Sequence, residues 1–112
     1  MMNLYAQYIS ERENKNLVQV AHGFATYQKI DAESYYIVDI FVEKGFRKNG
    51  IASELSEAVR KIAINDGASK LFGSVDIGTN GVTESMAAII ANGFKYSHSN
   101  GNMIYFVKLL GD

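Results

Sequence analysis

The chain contains no cysteine and no proline. The first absence excludes disulfides, thiolate metal sites and a cysteine nucleophile. The second leaves Gly, Asn and Asp to make the turns. Excess charge of one sign is missing too: 11 basic residues stand against 12 acidic ones, for a formal net charge of −1. That balance gives no electrostatic reason to expect nucleic acid or an anionic membrane as a partner. No apolar run approaches the length of a membrane span, and the start carries no charged-then-apolar leader. The expected compartment is the cytoplasm. His22 and His98 are the only imidazoles, and no His/Asp/Glu cluster has metal-ligand spacing, so no metal is expected.

What is present fits one domain over residues 1–112, with a single core and little to spare. Leu4 to Arg12 alternates loosely and predicts a strand, followed by a polar turn through Glu11–Asn16. Leu17 to Tyr27 reads as one strand, in which Gly23 marks a bulge or a close backbone approach. After a turn at Asp31–Ser34, Tyr35 to Val42 is strongly apolar, with Asp39 as its only charge. It predicts a central strand buried on both faces.

Ile51 to Asp66 is the clearest helix. Ile51, Leu55, Ala58, Val59, Ile62 and Ala63 form its apolar stripe, and Asn65-Asp66-Gly67 stops it. Lys70 to Val75 predicts a strand. Thr83 to Ala91 predicts a second helix, with Thr83 as N-cap and a stop at Asn92-Gly93. Phe94 to Ser99 and Met103 to Leu109 predict a hairpin turning at Asn100-Gly101. The expected order is three strands, helix, strand, helix, and two strands. The first helix makes the right-handed crossover between parallel central strands.

The segment from Val42 to Ala52 carries the chemistry. A strand that turns through Gly into a helix aims free backbone N–H groups and the positive end of the helix dipole at one point. Such a point suits an anion such as a pyrophosphate. Arg47 and Lys48 could neutralise phosphate charge or could be solvated loop cations. Gly50 could belong to a ligand loop or to a plain turn. Asp39, a lone carboxylate in an apolar strand, should be desolvated and is the best candidate base, with a structural role as the alternative. His22 is expected to pack or face solvent, and His98 to lie exposed. Ser53, Ser56, Ser85 and Ser99 lack the partner spacing of a nucleophile.

The spacing Arg47-x-x-Gly50-x-Ala52 resembles the acetyl-CoA pyrophosphate loop of the GNAT superfamily of N-acetyltransferases. The likeness extends to Asp39-Ile40-Phe41-Val42 with Phe46-Arg47, to Gly23-Phe24-Ala25-x-Tyr27, to Asn92-Gly93-Phe94 and to Tyr105–Leu109. It implies a mixed α/β GNAT fold with a mostly antiparallel central sheet and two helices. It further implies that the central strand and its parallel neighbour splay apart around the pantetheine arm of acetyl-CoA. Main-chain groups near Phe41 and Val42 would pair with that arm, and the N–H groups of Arg47, Lys48, Asn49, Gly50, Ile51, Ala52 and Ser53 would hold the pyrophosphate. Asn80 would reach the arm or serve a turn. An amine acceptor would attack the thioester directly, with an N–H on the central strand stabilising the oxyanion.

The resemblance also marks two departures. Many family members carry a Tyr four residues before the Gly-Phe pair as general acid to the thiolate, and here that residue is Ile89. Tyr96 and Tyr105 are candidate substitutes. The family's usual N-terminal strand and two helices are not found ahead of Leu4, which leaves the acceptor side open or completed by a second subunit. A CoA-binding or assembly module without catalysis is the alternative reading. Aromatic-rich ends (Tyr5, Tyr8, Tyr96, Tyr105, Phe106) point to a homodimer. The amine itself is not legible in the sequence.

Overall fold

The computed structural model describes residues 3–111. Asn3 starts the chain's first element by capping it, its side-chain oxygen accepting from the N–H groups of Tyr5 at 2.7 Å and Ala6 at 3.3 Å. Asn14, in the left-handed region at φ 54°, ends it. The result is helix α1, Leu4–Glu13, where the alternation predicts a strand. Tyr5 and Ile9 lie four residues apart, which in a helix brings them to one side. Ile9 is 1% exposed, and the Tyr5 ring packs edge-on against Phe24 with centroids 5.6 Å apart. Among the described residues there are therefore three helices instead of two, and α1 packs against the sheet.

The segment expected to be one strand is a hairpin of β1 (Asn16–Val20) and β2 (Gly23–Asp31), turning through Ala21 and His22. Neither turn residue has positive φ. The hairpin therefore lacks the Asn-Gly or Asp-Gly signature by which such turns are recognised. Gly23 is a close approach: a Cβ there would lie 2.7 Å from the Phe41 carbonyl oxygen and 3.1 Å from Ile51. Glycine lets β2 sit tightly under the start of the next helix.

β3 (Ser34–Val42) runs antiparallel to β2, α2 (Ile51–Asn65) crosses over, and β4 (Lys70–Asp76) returns parallel to β3. α3 (Val82–Ala91) follows, then the hairpin of β5 (Lys95–Asn100) and β6 (Met103–Leu109). Asn100 pairs with Met103, so the turn centres on Gly101-Asn102, with Gly101 at φ 59°. That places it one residue beyond the expected Asn100-Gly101. The six strands form one sheet in the order β1-β2-β3-β4-β6-β5, antiparallel except for β3 with β4. Among the described residues no helix is long and apolar enough to cross a membrane.

Leu55, Val59 and Ala63 of α2 are fully buried, with Ala25, Leu71, Val75, Phe94 and Phe106 in the same cluster. α3 shares that cluster only through half-buried Val82, Met86 and Ile89, and it has no fully buried residue. Gly81 stands at its N-cap, so Thr83 does not cap it. α2 and α3 thus cover one face of the sheet, and α1 covers part of the other.

At the far end of α2, Asp66 accepts from the Tyr35 hydroxyl and from Lys29 Nζ, both at 2.7 Å. Lys29 is the larger cause holding the Asp66 carboxyl below its ordinary range, with Tyr35 second. Burial and the hydrogen bond to Asp66 push the Tyr35 hydroxyl up to about 12. The depressed carboxyl contributes stability present above the ordinary carboxylate range and lost as pH falls through it. The raised hydroxyl contributes stability present below an ordinary phenol value of 10.0 and lost as pH rises towards about 12. Thermal unfolding against pH should show both flanks, and Lys29→Ala should flatten the acid one. Leu55→Ala should cost about 2–5 kcal/mol in denaturant unfolding, because the cavity it leaves is walled by helix and sheet.

Candidate functional site

Parallel pairing between β3 and β4 lasts for three residues, Ser34–Tyr36 opposite Lys70–Phe72. Beyond them the strands separate. Val38 is the extra residue of a bulge against β2, whose Thr26 and Tyr27 pair with Asp39 and Ile37. A bulge bends and twists the strand that carries it. β4 meanwhile stays paired with β6 as far as Asp76. The edges Ile37–Val42 and Gly73–Asp76 therefore have no partner in each other. Between them lies a cleft of about 760 Å³, closed on one side by α2 and α3.

This opening changes the expected character of β3. Its first half is buried, but Asp39, Ile40 and Phe41 are exposed. Asp39 lines the cleft as a solvated carboxylate and not as a desolvated one. The sequence pattern reports an apolar strand correctly and is silent about the neighbour that peels away from it.

At the wide end of the cleft, the loop from Val42 to Gly50 is built by left-handed residues. Gly45, Lys48 and Gly50 have φ of 99°, 67° and 83°. Gly50 is the N-cap of α2 and has no side chain to cap with. A Cβ on Gly50 would meet nothing within 4 Å, so backbone conformation and not space makes this position glycine. Among the described residues, no protein acceptor takes the backbone N–H groups of residues 47–53. Those of Ile51, Ala52 and Ser53 are the free donors of a helix start, at the positive end of its dipole.

Arg47 folds back on its own strand, its Nε donating to the Val42 carbonyl at 2.9 Å and its guanidinium carbon lying 6.0 Å from the Phe41 ring centroid. The Val42 carbonyl is thus occupied, while the other guanidinium donors keep their capacity. Phe41, Val42, Arg47, Lys48, Gly50, Ile51, Ala52 and Ser53 all line the cleft. Asn49 sits exposed on the same loop, outside the lining. Asn80 does not reach the cleft. Thr79 does, its hydroxyl donating to the Asp76 carbonyl at 2.7 Å.

His22, expected only to pack or face solvent, braces this loop. Its ring stacks on Phe46 at 3.5 Å with an interplanar angle of 5°. Its carbonyl accepts from the Glu43 N–H at 2.8 Å. Its Nδ1 is closed to solvent and lies 3.6 Å from Glu43, beyond hydrogen-bond length. The signal for this role is tertiary, since only the β1–β2 turn brings residue 22 to residue 46.

Ile89 lines the cleft from α3, with Ala88 and Ser85 beside it. The two tyrosines named as substitutes do not line it. Tyr96 is 62% exposed on β5, its hydroxyl 3.0 Å from Ser99 Oγ. Tyr105 is half-buried on β6, against the His98 ring at 4.7 Å. Sequence reasoning missed Ser74, which lines the cleft from β4 and whose Oγ lies 2.6 Å from the Tyr36 hydroxyl. Only the parallel register of β3 and β4 brings those two together. Among the described residues, no group of three or more potential ligands could hold a metal ion.

The family model for the acetyltransferase (GNAT) family matches residues 5–87. No curated protein sequence matches the chain. Among solved structures, a GNAT family acetyltransferase from Elizabethkingia anophelis with acetyl-CoA bound superposes with a TM-score of 0.74 at 21% identity, covering 96% of this chain and 82% of that one. An IAA acetyltransferase from Bacillus cereus gives 0.75 at 18% identity, over 93% and 83% of the two chains. The PaiA N-acetyltransferase of Thermoplasma acidophilum in complex with coenzyme A gives 0.76 at 16% identity, over 95% and 69%. At these identities the likeness is one of fold.

Two loop variants separate conformation from space. Gly50→Ala should lose about 1–2 kcal/mol in denaturant unfolding although it clashes with nothing, because L side chains disfavour its φ. Lys48→Gly should gain about 1 kcal/mol for the same reason.

Proposed function

Because the chain belongs to the GNAT family of acetyltransferases, we propose that it is an acetyl-CoA-dependent N-acetyltransferase that moves an acetyl group to a primary amine by direct attack in a ternary complex. The observation that carries the reading is the cleft between β3 and β4, headed by a loop whose N–H groups from 47 to 53 have no protein acceptor. A pyrophosphate at Gly50, Ile51, Ala52 and Ser53 would satisfy those donors, with Arg47 and Lys48 adding charge. From Val42 to Ile37 the free edge of β3 offers five residue steps, about 17 Å of extended backbone. An extended pantetheine arm would lie along it as an added strand. Its thioester would then arrive at the narrow end, near Val38 and Asp39. Solvated Asp39 is suited to taking a proton from the incoming ammonium.

Ile89 favours a second reading, a GNAT-like module that binds CoA without transferring from it. An aliphatic side chain at that cleft position donates no proton. Exposed Leu4, Tyr5 and Tyr8 on α1 keep the homodimer within either reading. Sedimentation as a monomer at high concentration would remove it.

Calorimetric titration with acetyl-CoA tests the cofactor site. Wild type should bind in the micromolar range. Ser53→Asp should abolish binding yet fold at least as well, since an acid in the first turn suits the helix dipole. Arg47→Ala should weaken binding about tenfold. Unchanged binding in Ser53→Asp would overturn the pyrophosphate assignment, and turnover of any amine would exclude the inactive module.

A further inference from the structure

The sheet face opposite α2 carries a second, shallower pocket of about 480 Å³ that the cofactor cleft does not include. Ile30, Asp31, Tyr36, Lys70, Phe72, His98 and Tyr105 are among the residues that line it. One hydrogen bond joins the linings of the two cavities. Tyr36 lines the pocket, Ser74 lines the cleft, and their hydroxyls are 2.6 Å apart in a partly buried setting. The bond sits where parallel pairing ends, since Tyr36 and Phe72 are the last parallel pair and Ser74 is two residues further on. This is the narrow end of the cleft. A ring ladder continues from it, with Tyr36 to Tyr105 at 6.5 Å and Tyr105 stacked on His98 at 4.7 Å.

Resting on the function proposed above, we infer that this pocket is the acceptor site, and that the Tyr36–Ser74 hydroxyl pair protonates the departing thiolate in place of the side chain Ile89 cannot supply. The pocket chemistry also defines the acceptor. Tyr36, Phe72, Tyr105 and Ile30 offer ring faces and an aliphatic wall, suited to an apolar stem and to a cation over an aromatic face. Asp31 offers a single carboxylate. The Glu33 N–H donates to it at 2.9 Å, and that bond holds its carboxyl below the ordinary range, so it is charged. Lys70 disfavours a second cation. The acceptor is a monocationic primary amine on an apolar or aromatic stem, and not a polyamine.

The step balances as follows. The ammonium gives one proton to Asp39, which lines the cleft, and attacks the thioester carbonyl. The N–C bond forms and the C–S bond breaks. The thiolate takes the Ser74 hydroxyl proton, which Tyr36 replaces from its own hydroxyl. The amide nitrogen returns a second proton to Tyr36. The products are the N-acetyl amine, free thiol and a proton on exposed Asp39 that passes to solvent.

Two measurements decide this. In the first, the two histidine rings are followed by NMR, with phenethylamine as the acceptor probe and spermidine as the comparison. Phenethylamine should shift His98 and leave His22 unmoved, whereas acetyl-CoA should shift His22 through its stack on Phe46. Phenethylamine shifts at His22 alone, no shift at all, or stronger shifts with spermidine would overturn the acceptor assignment. In the second, Tyr36→Phe and Ser74→Ala are assayed with phenethylamine and acetyl-CoA after calorimetry has shown acetyl-CoA binding unchanged. Each should lower kcat about 10²-fold or more, and the double variant should be no slower than the worse single, as members of one relay behave. Wild-type rates in both singles, or multiplying losses in the double, would overturn the relay. Acetyl-CoA that binds without turnover of phenethylamine would overturn this inference alone. Acetyl-CoA that does not bind would overturn the cofactor reading and this inference with it.

Discussion

Among the described residues, three parallel pairs, Ser34–Lys70 to Tyr36–Phe72, are the only strand pairing between the two halves of the sheet. On one side stand β1, β2 and β3, and on the other β4, β6 and β5. Everything distinctive about the molecule follows from how short that seam is. A longer seam would satisfy the backbone of Ile37–Val42 and close the cleft. A shorter one would leave only helix packing to hold the halves. The seam is reinforced at its closed end, where the Glu33 carbonyl accepts from the N–H groups of both Ser69 and Lys70. At its open end the Val38 bulge turns β3 away. Pairing energy and its absence thus lie within one pair of strands.

α2 spans the seam that the strands leave weak. Its stripe of Leu55, Val59 and Ala63 packs into a cluster drawn from both halves, including Ala25 on β2, Leu71 on β4 and Phe106 on β6. The same helix presents its unpaired N-terminal donors at the mouth of the cleft. Burial along its side and polarity at its tip are separate tasks, and the sequence assigns them to separate residues. Gly23 lets the two coexist, because its missing Cβ allows the helix start to settle onto β2 beside the Phe41 carbonyl.

The loop and helix start at the mouth of the cleft were legible because their signals are local. A glycine at the turn, an apolar strand before it and a helical stripe after it are all read within fifteen residues of Gly50. The amphipathic helix, the Gly67 and Gly93 stops and the last hairpin were legible for the same reason. α1 was not, because its cap is a single Asn and only Ile9 of its apolar residues is buried, which leaves a weak period. The β1–β2 hairpin was missed because Ala21-His22 turns without a left-handed residue. Asp39 shows the limit of composition: an apolar strand predicts burial, while exposure depends on where a neighbouring strand goes. His22 against Phe46 and Tyr36 against Ser74 depend wholly on register, and no spacing encodes them.

α3 is held differently from α2. None of its residues is fully buried, and it meets the core only through Val82, Met86 and Ile89. Elements with so little burial open locally at a small fraction of the global unfolding free energy. The wall that α3 forms is therefore the most easily deformed boundary of the cleft. A molecule seated between β3 and β4 would press against a helix with little stability of its own and would lend it some. The amide protons of Val82–Ala91 are then the natural reporter of occupancy: exchanging early in the empty chain, and slowing most when the cleft is filled.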